Sequence, residues 1–141
     1  MLASTRQFID AMEAKGIKYQ DKGSLSSGKD VIIVSYSGDN MPSIQVQFFF
    51  DEDCESVALR VFDILKVPAD RMGSMLSVLN AQNGHFRFAR FVLDPNDNTV
   101  QVEMDIPFRK YDVGDICLEM LSRMVNICDD AYPTLMKGLW G

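Results

Sequence analysis

From Ser43 onward apolar and polar residues alternate with a period of two. Ile44, Val46, Phe48 and Phe50 share one side and Gln45 and Gln47 the other, as in a strand with one buried face. Val57, Leu59 and Val61 alternate in the same way with Ala58, Arg60 and Phe62, which predicts a second such strand through about Leu65. The most regular case is Val100, Val102, Met104 and Ile106 against Gln101, Glu103 and Asp105. Val31–Tyr36 is a continuous β-branched run, as in a well-buried strand, and His85–Leu93 reads as a strand rich in phenylalanine. Gly38–Pro42, Asp51–Glu55 and Pro95–Asn98 are turns by composition, and Gly23–Gly28 is a Ser/Gly loop.

Three segments have the helical period instead. Phe8, Ile9 and Met12 form a stripe on a helix over about Thr5–Lys15. Ser4 with Gln7 is a capping-box pattern at its start, and Gly16 suits a left-handed C-cap. Met72, Met75, Leu76 and Leu79 recur at i, i+3, i+4 and i+7 after Pro68 and Asp70, and Asn83-Gly84 is an end signal. The last helix runs from about Val113 to Ala131 or beyond, with Pro133 expected to end or kink it. It carries two apolar stripes: Val113, Ile116, Met120, Met124 and Ile127, then Cys117, Leu121, Cys128, Tyr132 and Leu135. One sheet face needs a single stripe, so the second predicts a further buried contact.

The order α-β-β-β-α-β-β-α, with short turns between neighbouring strands, predicts an α+β domain. Its sheet should be five-stranded and mainly antiparallel, with helices packed on one face. Residues 1–141 fit one domain, and 47% apolar against 24% charged residues exclude a disordered chain. Net charge is −6, so nothing is left over to neutralise phosphates and nucleic acid is not an expected partner. The N-terminus lacks an apolar run and no stretch is long enough to span a bilayer. The three cysteines, Cys54, Cys117 and Cys128, are odd in number and at no metal-ligand spacing. Reduced thiols in a cytoplasmic protein are therefore expected.

Several patterns imitate chemistry without its essentials. Gly23-Ser-Leu-Ser-Ser-Gly28-Lys29 matches a phosphate loop, but Asp30 stands where magnesium needs a hydroxyl, and the loop opens a strand rather than a helix. Asp94, Asn96, Asn98 and Asp105 resemble half a calcium loop with no glycine at its bend and no terminal glutamate. The acidic run Asp51–Glu55 reads as a solvated turn. His85 is the only histidine and has no zinc-ligand companions or nucleophile beside it. Cys117 and Cys128 lie three turns apart on one helix and cannot bridge. No catalytic, metal-binding or cofactor-binding residue is assigned, and no cofactor is expected.

The segment Leu79-Asn80-Ala-Gln-Asn83-Gly-His-Phe86-Arg-Phe88-Ala-Arg-Phe91-Val-Leu-Asp94, continued by Val100-Gln-Val-Glu-Met-Asp105-Ile-Pro107, resembles the YbjN family. The shared features are L-N-x-x-N, a phenylalanine-led strand, an acidic turn and an alternating strand closing near proline. Ala89 departs from the glycine expected in the strand. The resemblance spans nearly the whole chain and implies a fold similar to type III secretion chaperones, small acidic dimers that hold partner proteins. The family is described as a bacterial sensory-transduction regulator. Asn80, Asn83, Phe86, Phe88 and Phe91 carry the motif and read as structural, the asparagines as helix-end caps.

Acidity, surplus helix hydrophobicity and this resemblance together predict a non-enzymatic module that binds another protein, a chaperone-like adaptor or regulator of bacterial signalling. A small-ligand sensor with a pocket between helix and sheet is the alternative. A homodimer is expected, with Val113, Cys117, Leu121, Met124, Cys128 and Tyr132 as its surface or the partner's.

Overall fold

The computed structural model describes residues 1–140. Among these, α1 (Ala3–Ala14) precedes four strands, β1 (Gln20–Ser24), β2 (Asp30–Tyr36), β3 (Ile44–Phe50) and β4 (Ser56–Lys66). A single 3-10 turn leads into α2 (Met72–His85), then β5 (Arg90–Asp94), β6 (Thr99–Pro107) and α3 (Val113–Trp140). All six strands form one antiparallel sheet in the order β1-β2-β3-β4-β6-β5.

Alternation decides which residues meet the helices. Ile32, Phe48, Leu59 and Met104 stand in register across four strands and are at most 1% exposed. Burying each contributes roughly 1.5–3 kcal/mol. Phe8 of α1 lies 4.5 Å from Phe48 and 5.6 Å from Phe50, ring centre to ring centre, and pins that helix to the sheet. The next row, Ile33, Gln47, Arg60, Glu103 and Arg90, points the other way, to a face without helices.

Both apolar stripes of α3 are largely buried inside the chain, with Ile116 and Tyr132 left half-buried. α3 packs on α1, α2 and β3. A Cβ on Gly114 would come 2.9 Å from the Ala11 Cβ, so a glycine lets α1 and α3 approach closely. Pro133 neither ends nor divides α3, which continues to Trp140. A proline cannot donate to the carbonyl four residues back, here that of Asp129. The Asn40 side-chain amide donates to it instead, at 3.2 Å. The Asp129 carboxylate accepts the backbone amides of Asp39, Asn40 and Met41 at 2.8–3.2 Å, clasping the β2–β3 turn. Gly38 suits that turn, since a Cβ there would run into the Asp129 carboxylate and come 2.8 Å from the Met41 carbonyl oxygen.

Three expectations are corrected. The sheet has six strands, because β1 pairs with β2 where a loop was expected. α2 ends at His85, one residue past Asn83-Gly84, and β5 begins at Arg90 rather than His85. The capping box does not form: α1 starts one residue before Ser4 with Leu2 as an N-cap lacking a side-chain bond, and the Ser4 hydroxyl is buried without a partner. Gly16 does take the left-handed C-cap conformation, at φ +69°.

Candidate functional site

The helix-free face of the sheet carries an ion-pair lattice across three strands. Arg90 of β5 reaches Glu103 at 2.8 Å and Asp105 at 2.7 Å on β6. Arg60 of β4 reaches Asp105 at 3.0 Å and Glu103 at 3.7 Å. Partial burial of Asp105 works against its charge, but hydrogen bonds from Arg90 and Arg60 outweigh it and hold the carboxyl below its usual range. Phe49 and Phe62 stand edge to face on the same face, with Phe62 37% exposed. Their signal was present in the sequence, since both occupy positions where alternation calls for polar residues. Asp63 then takes φ +52° beside a break in the β4–β6 register.

A second feature lies where the sheet stops short. β5 covers β6 only as far as Arg90 opposite Glu103. Phe88 would be the next residue facing β6, but at φ +71° it turns the chain out of the strand and leaves its ring 62% exposed. Left-handed backbone is unusual for an aromatic residue and is retained where the surroundings impose it. The Arg123 guanidinium of α3 sits over the ring, 5.2 Å from its centre. Between Phe88, the end of β6 and α3 is a notch of about 420 Å³, lined by Met104, Asp105, Ile106, Ile116, Glu119 and Met120, the two acids being ion-paired already with Arg60 and Arg90 and with Arg123.

The motif residues separate in the structure. Asn80 is exposed on α2, Phe86 half-buried, Phe88 exposed and Phe91 buried at 3%. Asn83 caps no helix end: its side-chain amide donates to the Phe91 carbonyl at 3.1 Å, and its Oδ1 accepts the Phe91 amide. It thereby occupies the outward-facing groups of β5 that another strand would use. Val113, Cys117, Leu121, Met124 and Cys128 do not form a surface, being at most 2% exposed, and Tyr132 is half-buried. Helices α1 and α2 with the sheet already cover them, which corrects their expected role at an interface.

The imitations of chemistry remain imitations. Lys29 pairs with Asp51 at 3.0 Å, just beyond the paired ends of β2 and β3. Asp94, Asn96 and Asn98 form a hydrogen-bonded hairpin turn while Asp105 is engaged by the arginines. Burial pushes the thiols of Cys117 and Cys128 up to about 12, which makes them inert. His85 is exposed against Phe86, 4.7 Å between ring centres. Among the described residues no group of three or more His, Cys, Asp or Glu is placed to hold a metal ion. A further recess of about 590 Å³ lies between the start of α1, the Asp53–Glu55 turn and the Phe108–Val113 segment.

No family model matches the chain, and no curated protein matches it. Among solved structures, a chain of the ExsC–ExsE complex is 16% identical with a TM-score of 0.61, over 96% of this chain and 97% of that one. YbjN from E. coli, assigned as a candidate transcription regulator, is 9% identical with a TM-score of 0.59, over 90% of each chain. The fold is YbjN-like and type III secretion chaperone-like. The three helices, the antiparallel sheet and the near-complete coverage establish that likeness, and it concerns architecture alone.

Proposed function

We propose that this chain is a non-enzymatic protein-binding module, acting in the cytoplasm as a chaperone-like adaptor or regulator of bacterial signalling. The observation that carries the reading is where apolar surface remains once the core is complete. The α3 stripes are largely spent, yet Phe62 stays 37% exposed on the helix-free face and Phe88 62% exposed beside a partly built sheet edge. Exposed aromatic groups bordered by arginine–carboxylate pairs have the composition of a protein interface. A solved structure with the same fold is a two-protein complex, ExsC with ExsE, and that supports the reading. Thiols raised to about 12 and a histidine with no catalytic companion argue against covalent or acid–base chemistry.

The proposed unit is a homodimer. With the α3 stripes buried, the surface left for it is the helix-free sheet face around Phe49 and Phe62. The test of the main reading is quantitative affinity capture from the source cell with isotope-labelled controls. A protein recovered in near-stoichiometric amount supports a binding module. Recovery of nothing above the control, together with turnover of a small molecule by the purified chain, overturns it.

A further inference from the structure

We infer that the recess of about 590 Å³ between the start of α1, the β3–β4 turn and the β6–α3 connection binds a small zwitterion, an α-amino acid with an apolar side chain. This site goes beyond the protein-binding reading and stands independently of it. The argument starts from Ser4, which lines the recess, is 1% exposed, and has a hydroxyl with no hydrogen-bond partner. Buried polar groups of native proteins are nearly always paired, so an acceptor supplied from outside the chain accounts for this one. The helix around it is equally open. α1 begins without a side-chain cap and with no acidic residue in its first turn. Asp30 accepts from the Leu2 amide, which leaves the amides of Ala3 and Ser4 in the recess wall to a ligand. With the Ser4 hydroxyl they make a donor set for a carboxylate.

Both signs of charge border the recess, and they come from different walls. Arg109 and Lys110 of the β6–α3 connection are exposed and form no ion pair among the described residues. Asp53 and Glu55 of the β3–β4 turn are likewise exposed and unpaired with any cation, although Asp53 spends one oxygen on the Glu55 amide. The Phe108 amide donates to the Glu55 carbonyl at 3.0 Å and ties the two walls side by side. A ligand of single charge would leave one wall unanswered, whereas a zwitterion answers both. The floor between them is apolar. Phe108 and Val113 line it at 4% and 1% exposure, which suits a hydrocarbon side chain.

The probes are L-leucine, L-isoleucine, L-valine, L-methionine and L-phenylalanine, each titrated into the whole chain by calorimetry, with the N-acetyl and amide derivatives of the tightest binder as controls. Saturable binding of at least one amino acid below about 10 mM is expected. Acetylation removes the ammonium and amidation the carboxylate, and each should weaken binding at least about tenfold. Ser4→Ala should weaken it as well, while the melting temperature of the free protein holds or rises, because the substitution removes an unpaired buried hydroxyl. Arg109→Gln and Glu55→Gln, at exposed positions, should weaken binding without altering the melting temperature. No saturable binding by any of the amino acids, equal affinity for the derivatives, or full affinity in all three variants overturns the site. Binding of inorganic phosphate in place of every amino acid would leave an anion site and overturn the zwitterion. A lower melting temperature for free Ser4→Ala with unchanged affinity would make that hydroxyl structural and overturn the assignment.

Discussion

Three consecutive phenylalanines in β3 offer a sharp test of the two-faced sheet. Phe48 and Phe50 are completely buried, stacked on each other and tilted against Phe8, whereas Phe49 between them is half-buried on the opposite face against Phe62. Truncating a fully enclosed phenylalanine to alanine costs about 3–5 kcal/mol, since the cavity adds to the lost transfer energy. Phe49→Ala loses only part of a ring's burial and one edge-to-face contact, about 1–1.5 kcal/mol. At about 2.1 cal/mol/K per residue, the unfolding entropy of this chain is about 0.3 kcal/mol/K. The melting temperature should then fall by about 10–17 °C for Phe48→Ala and Phe50→Ala, but only about 3–5 °C for Phe49→Ala. Calorimetry on the three variants under identical buffer gives the comparison. A Phe49→Ala loss equal to that of Phe48→Ala would refute the register and with it the helix-free face.

Ellman titration of the native chain at pH 8 should find Cys54 alone reactive and all three thiols after denaturation, because burial raises Cys117 and Cys128 to about 12. Asp30 is 3% exposed; burial disfavours its charge, but hydrogen bonds from Ser24 and the Leu2 amide outweigh this and hold its pKa below the usual carboxylate value. A depressed folded value means that its stabilisation is complete above about pH 4, the unfolded value, and is lost as pH falls below that. Asp30→Asn should flatten the acid limb of a stability–pH curve, and an unaltered limb would count against this bond set. Gly38→Ala should lower the denaturation midpoint by forcing Asp129 off the turn, with a smaller drop in an Asp129→Ala background; equal drops would mean that the two sites are uncoupled.

The strands that bury one face were legible, because a period of two in β3, β4 and β6 leaves little choice of face. β1 was not: Gln20–Ser24 carries no apolar residue, and only pairing with the buried β2 explains it. The helix-end signal at Asn83-Gly84 held to within one residue, since α2 stops at His85, but Asn83 itself spends its side chain on β5 rather than on a cap. Pro133 misled, as a residue 93 positions earlier, Asn40, supplies the donor that proline lacks. The surplus hydrophobicity of α3 was real, but its cover is α1 and α2, a tertiary fact that periodicity on a single helix cannot contain. The notch depends on the left-handed backbone at Phe88, a conformation that the residue type does not announce.

The central claim is that this fold spends its helices on its own core and presents its partner surface where aromatic rings stay exposed, at Phe88 above all. Site-specific photo-crosslinking in the source cell tests it most directly, with a benzophenone amino acid placed at Phe88 and, as a control, at the exposed Lys15. The account predicts a discrete higher-mass adduct with a second protein from position 88 and none from position 15. Equal labelling from both positions, or no adduct from position 88 while one forms elsewhere on the chain, would contradict it.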